Sequence, residues 1–412
     1  MRFLHTSDLH IGKRLNKFSL EDVHSEMFDF LVRECDDKKI DIVLIVGDVF
    51  NVPNPDFKSE KLFYDGLSNL TKNRNRLVII SAGNHDSAKK IDVTNSLAID
   101  NGIIFIPTIS TFVNNGEVYK NDFFEIYDIK AGCFKVKFKG EDIAFMNFGY
   151  PSEENVNYYR ENYEEVKNAE NYKDRIKEIA KINNSYYTKD MTNIVLGHMY
   201  VSGDCEKTDS EIDFNIGGLY EVGVDLFSKD ATYIALGHLH RKQAVKGVDN
   251  AFYSGSPFGF SKSEAGQKKY AITFECENGI IIQDTLSSVE FTLSKKVIKK
   301  TFKDMDSFKF FAKSNEHENA YVFVTLDGDD FHRFENLNHE IESIISEIDF
   351  FVDIDFKAKV NETIDSKEYK NEIDIYTEFK ELATMEYSDI DEESLRELFA
   401  LYNSLLEGGV YK

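Results

Sequence analysis

Short apolar runs, each closed by a polar cluster, recur along the first part of the chain. They are 2–6 (RFLHT), 40–46 (IDIVLIV), 77–81 (LVIIS), 103–106, 193–196 (NIVL) and 231–236 (ATYIAL). Continuous apolar runs of this length, bounded by turn residues, predict buried strands. Between the first two, Leu20, Val23, Met27, Phe30 and Leu31 recur at helical spacing, and a second helix is expected over about 58–73. Strand and helix in alternation indicate an α/β unit. Residues 123–148 differ: several β-rich stretches are separated by Ala131-Gly132 and Lys139-Gly140, which reads as hairpins and makes the sheet arrangement mixed. Residues 153–190 are charged and rich in Tyr and Asn, and read as an inserted helix with loops.

Past about 285 the pattern changes to strand (286–303), helix (304–315), strand (319–326), helix (332–348) and strand (349–360), a second and smaller α+β domain. From about 365 the chain is acidic and helical. Leu395, Leu398, Phe399, Tyr402, Leu405 and Leu406 form one apolar stripe there, and Gly408-Gly409 ends it. The expected organisation is 1–284, 285–362 and 363–412. The chain's 412 residues fit that division, because single cores stop growing at about 250–300 residues.

Composition narrows the class. With 42% hydrophobic and 30% charged residues the chain reads as an ordinary globular protein. It has no apolar run of membrane-spanning length and no signal-peptide pattern at its start, so a cytoplasmic location is expected. Cys35, Cys133, Cys205 and Cys276 are widely spaced and form no CxxC pair, which reads as buried thiols rather than a disulfide or zinc frame. The net charge of −24 opposes binding to a phosphate polymer. Bound cations or a partner subunit would offset it.

Five short blocks carry candidate chemistry: Asp8-Leu9-His10, Gly47-Asp48, Gly83-Asn84-His85-Asp86, Gly197-His198 and Gly237-His238-Leu239-His240. Each directly follows a predicted strand, and α/β sheets bind ligands beyond the carboxyl ends of their strands. Carboxylates, imidazoles and a carboxamide oxygen suit Mn²⁺, Fe²⁺ or Zn²⁺. A pair of such ions clamps a phosphate and lowers the pKa of an attacking water. Asp48 is the carboxylate placed to bridge. His85 directly follows Asn84 and so faces substrate instead of sharing its coordination position, where it would protonate a leaving group or stabilise charge.

These blocks resemble the calcineurin-like metallophosphoesterase family, whose pattern is D-x-H, G-D, G-N-H-D, G-H and G-H-x-H. HTSDLHIGKRL, GNHDS, GHMYVSGD with Ser210-Glu211, ALGHLHRKQAV and YSGSPFGFSKSE further resemble the nuclease subunits of bacterial SbcCD complexes. The resemblance covers about 1–275. It implies a mixed-sheet α/β (α+β) sandwich, followed by a small α+β capping domain that binds DNA and a helical segment that binds a partner. It implies one metal on Asp8, His10, Asp48 and His240, a second on Asp48, Asn84, His198 and His238, and His85 as the catalytic histidine. The implied activity is manganese-dependent 3′–5′ exonuclease action on duplex ends and endonuclease action on hairpins. The implied partner is an SbcC-type ABC ATPase with a long coiled coil, engaged by a nuclease homodimer within a heterotetramer in the cytoplasm at the nucleoid.

Other features have plainer readings beside the functional one. His5 reads as a core residue, and His24, His317, His332 and His339 as packed or solvated positions. Lys13, Arg14, Arg241 and Lys242 flank the first and last blocks, where they would meet DNA phosphates or simply solvent. Lys295, Lys296, Lys299 and Lys300 form a basic patch in the second domain. Asp86 either orients His85 or braces its turn. The stretch with Ser256, Pro257 and Ser263 reads as a turn with strand-end hydrogen bonds. The 395–406 stripe is either packed on its own domain or docked on a partner helix. A phosphatase or cyclic-nucleotide phosphodiesterase of the same superfamily would use the same metals, but has little use for residues 285–412.

Overall fold

The computed structural model describes residues 1–356, apart from 73, 94–97, 190, 203–204, 207, 209–220 and 329–336. Ser210, Glu211, His332 and the whole 363–412 segment, with Leu395, Leu398, Phe399, Tyr402 and Leu405, lie outside the described residues. Residues 1–357 form one compact unit.

Two sheets stack face to face. The first runs through β1 (Arg2–Thr6), β2 (Ile42–Val46), β3 (Leu77–Ser81) and β4 (Ile103–Phe105), all parallel. These strands are apolar on both sides because both faces are covered. Phe3, Leu44 and Ile79 point to the second sheet, and Leu4, Val43 and Ile80 point to the helices outside. The outer helices are α1 (Glu21–Asp37) and α2 (Phe57–Thr71). Val23, Met27, Phe30 and Leu31 are buried on α1, as their spacing predicts. The Asp56 carboxylate accepts the Ser59 N–H at 2.8 Å and so caps the start of α2.

The second sheet contains the antiparallel meander β5 (Phe124–Lys130), β6 (Cys133–Phe138) and β7 (Glu141–Gly149), its turns at Ala131-Gly132 and Lys139-Gly140. Parallel to β7 follow β8 (Thr192–His198), β9 (Tyr233–Gly237) and β10 (Ala251–Tyr253). The expected inserted helix at 153–190 is α3 (Glu153–Asn162), a short turn of helix and α4 (Tyr172–Asn184). They cover the outer face of this sheet through Val156, Tyr159, Ile176 and Ile179. The order is therefore helices, sheet, sheet, helices, with Phe3, Leu44, Phe134, Phe145, Leu196 and Tyr233 in the central core.

The strand β11 (Tyr270–Glu277) returns to the first sheet antiparallel to β1, and β12 (Ser287–Glu290) pairs with it. The first sheet thus extends through β12. Beyond it lies a three-stranded parallel sheet of β13 (Lys296–Phe302), β14 (Ala320–Leu326) and β15 (Phe351–Phe356), with α5 (Met305–Ala312) and α6 (Leu337–Ile345) as crossovers. Tyr321, Phe323 and Val352 pack on Leu15, Leu20, Phe258 and Phe260, which ties it to the larger sandwich close to the candidate site. Among the described residues no helix is long and apolar enough to cross a membrane.

Candidate metal centre

Five of the parallel strands end at one place. Asp8 and His10 follow β1, Asp48 follows β2, and Asn84 and His85 follow β3; His198 ends β8, and His238 and His240 follow β9. The two sheets contribute adjacent strands, so all five blocks meet at the seam between them.

The backbone there is contorted. Asp8, His10, Asp48 and His238 have φ values of 54°, 46°, 45° and 94°. Left-handed non-glycine residues each cost on the order of 1 kcal/mol and concentrate at functional sites. Two glycines allow the close approach. A Cβ on Gly47 would lie 2.0 Å from His198 Nδ1, and one on Gly237 would lie 1.9 Å from the Val46 carbonyl oxygen.

Hydrogen bonds aim the rings. The His198 Nδ1–H donates to Val46 O at 3.2 Å, which turns Nε2 to Asp48 Oδ2 (3.4 Å) and Asn84 Oδ1 (3.0 Å). The His240 Nδ1–H donates to Glu264 Oε1 at 3.1 Å, and its Nε2 stands 3.1 Å from His10 Nε2. His85 donates Nδ1–H to Asn51 O at 2.9 Å, and its backbone N–H bonds Asp48 Oδ1 at 2.9 Å. In each case an oxygen acceptor fixes the tautomer and presents Nε2 inward, the usual arrangement behind metal-binding histidines. His10 Nε2 lies 3.6 Å from Asp48 Oδ2. Among the described residues three donor sets fall within 4.8 Å: Asp8, His10 and His240; Asp8, Asp48 and His198; His10, Asp48 and His85. The His238 ring lies 5.3 Å from that of His198, and its backbone N–H donates to Asp8 Oδ1 at 2.9 Å.

Electrostatics tests whether cations fit. Asp8 and Asp48 are buried, and no Lys or Arg ion pair to either is found among the described residues. Burial pushes the Asp8 carboxyl up. Burial would also raise Asp48, but the charges of His198 and His10 hold it well below the usual carboxylate range. Burial lowers an imidazole, yet Asp48 and Asp8 lift His198 to about 9. The cluster therefore demands positive charge, and buried carboxylates of this kind are stable when paired or metal-bound. The donor set fits divalent cations.

The other expected residues sit as follows. Asp86 accepts the N–H groups of Val49, Phe50 and Gly83, so it braces the turn that carries Asn84 and His85. Arg14 donates to the Lys17 carbonyl, Arg241 pairs with Glu206, and Lys242 bonds Ser288 Oγ at 2.7 Å. Lys13 follows the first block, and its N–H donates to His10 O. Lys295 pairs with Asp22 and Lys300 with Glu316. His5 is buried against the Tyr233 hydroxyl at 3.0 Å, while His24 and His317 are buried and His339 is exposed. One group escapes sequence reasoning. Glu264, 1% exposed, joins His240, Ser256 Oγ (3.2 Å) and Lys269 Nζ (2.5 Å), and Lys269 is itself buried. The stretch YSGSPFGFSKSE is thus the support of His240, not only a turn. The sole sequence signal was a Glu and a Lys five residues apart amid small residues.

A family model described as Calcineurin-like phosphoesterase matches residues 1–242. The chain belongs to the calcineurin-like phosphoesterase family. Together with the relatives that follow, this makes it a metal-dependent phosphodiester hydrolase. The chain is 31% identical to the SbcD component of the nuclease SbcCD from Bacillus subtilis, over 68% of its length and 67% of the relative's. It is 28% identical to the protein of the same name from Rhodobacter capsulatus, over 65% of its length and 64% of the relative's. The chain thus spans about two thirds of these relatives. A dimetal phosphatase from Danio rerio covers 71% of the chain and 99% of its own at 10% identity, with a TM-score of 0.38.

Proposed function

We propose that this chain is the nuclease component of an SbcCD-type assembly. In this reading it is a Mn²⁺-dependent 3′–5′ exonuclease on duplex ends and an endonuclease on hairpins, with Fe²⁺ and Zn²⁺ sharing the donor set. It works as a homodimer with an SbcC-type ABC ATPase in a heterotetramer, in DNA repair and recombination at the nucleoid. The observation that carries this is the convergence of all five blocks on one seam, in a chain that aligns with two proteins named as the SbcD component of the nuclease SbcCD.

Asp8, His10, Asp48 and His240 would hold one cation, and Asp48, Asn84, His198 and His238 the other. When bound, the pair supplies Lewis acidity at the scissile phosphate and to the attacking water. Asp48 Oδ2 lies near both His198 Nε2 (3.4 Å) and His10 Nε2 (3.6 Å), so this carboxylate would be shared by the two ions. Glu264 and the Val46 carbonyl keep His240 and His198 in the tautomer that presents Nε2. His85 is half-buried, with Nδ1–H fixed on Asn51 O, so its Nε2 faces the substrate; with both ring nitrogens protonated it gives the Nε2 proton to the leaving 3′ oxygen or steadies charge in the transition state.

A small-ester hydrolase is the second reading, favoured by the net charge of −24. The test is cleavage of end-labelled linear duplex DNA with Mn²⁺, alone and with a co-expressed ATPase partner and ATP, using Asp48→Ala as blank. Shortening that the blank lacks and the partner stimulates supports the nuclease. Intact DNA in both conditions, with turnover of a small phosphate ester, supports the second reading.

A further inference from the structure

Arg241 directly follows the candidate ligand His240, so its place is tied to the metal centre. Its guanidinium pairs with the Glu206 carboxylate, and the two side chains are 52% and 63% exposed. A guanidinium is the side chain best matched to a phosphate, because its N–H groups meet two oxygens at once. Here a carboxylate holds that place, beside a centre whose substrate is an anion.

The backbone sets up this pairing. The Gln243 side-chain amide grips residue 206 as a neighbouring strand would. Glu206 N–H donates to Gln243 Oε1 at 2.8 Å, and Gln243 Nε2–H donates to Glu206 O at 2.9 Å. The same Nε2 donates to Arg241 O at 3.2 Å. Gln243 lies opposite Tyr253 of β10 in an antiparallel pair. Tyr253 is buried, and its hydroxyl accepts the Val201 N–H at 2.9 Å and donates to Met199 O at 3.0 Å. One amide therefore fixes both backbones of the ion pair, and the chain just beyond His198 is tied to the same strand. An exposed ion pair adds little to stability, so stability gives little reason for this arrangement.

Phosphate binding gives a better one. We infer that Glu206 guards Arg241, and that the guanidinium changes partner only for a phosphate tethered to one already seated at the metal centre. A strand brings its second phosphate at high effective concentration once the first is held. A free phosphate ion or a single ester has no such advantage and leaves the pair closed. Arg241 stays paired in both states, first with carboxylate and then with phosphate. Glu206 and Arg241 are then specificity-determining residues that separate nucleic-acid strands from small phosphate esters. This rests on the nuclease reading and deepens it by naming the feature recognised, a second phosphate.

The test is a double-variant cycle on the full chain with Mn²⁺. The probe is a short fluorescein-labelled phosphorothioate oligothymidylate, whose Kd is read by anisotropy. Beside it, KM is measured for bis(p-nitrophenyl) phosphate, which brings a single phosphate. Glu206→Gln is expected to tighten oligonucleotide binding about 2- to 5-fold, the range of an exposed ion pair, and to leave the small diester unchanged. Arg241→Ala is expected to weaken oligonucleotide binding, and Glu206→Gln added to it to change nothing further. A Kd that Glu206→Gln moves by less than about 1.5-fold, a gain that persists without Arg241, or an equal gain on the small diester overturns the inference. So does an oligonucleotide that no variant binds. An oligonucleotide that is bound but, in unmodified form, left intact by wild type overturns the nuclease reading instead, and the cycle still decides the pair.

Discussion

Glu264→Gln is the sharpest perturbation of the site that leaves every candidate ligand in place. The carboxylate is 1% exposed and, besides accepting the Ser256 and Ser261 hydroxyls, has two partners that matter most here. Oε2 pairs with Lys269 Nζ at 2.5 Å, and Oε1 accepts the His240 Nδ1–H at 3.1 Å. Lys269 is 7% exposed, and its other partners are neutral: His240 O and Ser256 Oγ, both at 3.0 Å. Removing one partner of a buried ion pair strands the other charge and costs about 3–5 kcal/mol. The double variant Glu264→Gln/Lys269→Met removes both charges, so this cost vanishes. What persists is a weakened acceptor for a buried imidazole N–H, about 1–3 kcal/mol. The single variant is therefore expected to lose about 3–5 kcal/mol, and adding Lys269→Met to recover at least half of it. The assay is urea unfolding followed by circular dichroism, with refolding checked so that equilibrium values apply. Mn²⁺ binding by calorimetry should weaken about 10- to 100-fold in the folded double variant, the usual effect of losing the acceptor behind a ligand histidine. A single variant that loses under 1 kcal/mol, or a double variant no more stable than the single, refutes the stranded-charge argument.

Three further outcomes are expected. His85→Ala should bind Mn²⁺ as wild type does while kcat for DNA falls about 10²- to 10⁴-fold; cleavage at the normal rate would remove His85 from the chemistry. Gly47→Ala, at φ 77° with its new Cβ 2.0 Å from His198 Nδ1, should lower stability by at least about 1–3 kcal/mol and weaken metal binding, measured by melting with and without Mn²⁺. His5 is held to about 3, and His24 to about 4, by burial. Both are neutral when folded and protonate on unfolding below about pH 6.5. The unfolded state then binds more protons, so stability falls with acidification, by up to ~1.4 kcal/mol per pH unit for each histidine between about pH 6.5 and 4. A His5→Gln chain should show a shallower decline between pH 7 and 5 in urea midpoints, and an equal slope would refute the assignment.

The strands β1, β2 and β3 were legible because both their faces are covered, leaving unbroken apolar runs bounded by polar turns. The site was legible for a related reason: one chemical type of block follows strand after strand, and parallel strands put their ends together. Other features resisted for physical reasons. β11 joins the sheet beside β1 across most of the domain's length, a pairing that no local pattern announces. β12 is an exposed edge whose register comes only from β11. In 153–190 the buried stripe includes Tyr159 and Tyr172, amphipathic side chains that read as polar until their partners are known. Glu264 and Lys269 went unread because charged residues are almost never fully buried unless paired, and only the fold brings the pair behind His240.

The acidic surface and the location of the centre belong together. The contacts that aim the ligands are the contacts that register one sheet on the other. His198 on β8 bonds the carbonyl of Val46 on β2, Gly237 on β9 lies against that same carbonyl, and the N–H beyond β9 bonds Asp8 beyond β1. Two carboxylates sit in this seam and demand positive charge. A divalent cation there is held by both sheets at once, so its binding energy stabilises the sandwich as a whole and not one loop. In a chain with 73 acidic and 49 basic side chains, the same cations offer a phosphate its strongest local attraction. Attraction concentrated at one point selects for substrates that bring a single phosphodiester into the seam. It gives little grip on a long backbone.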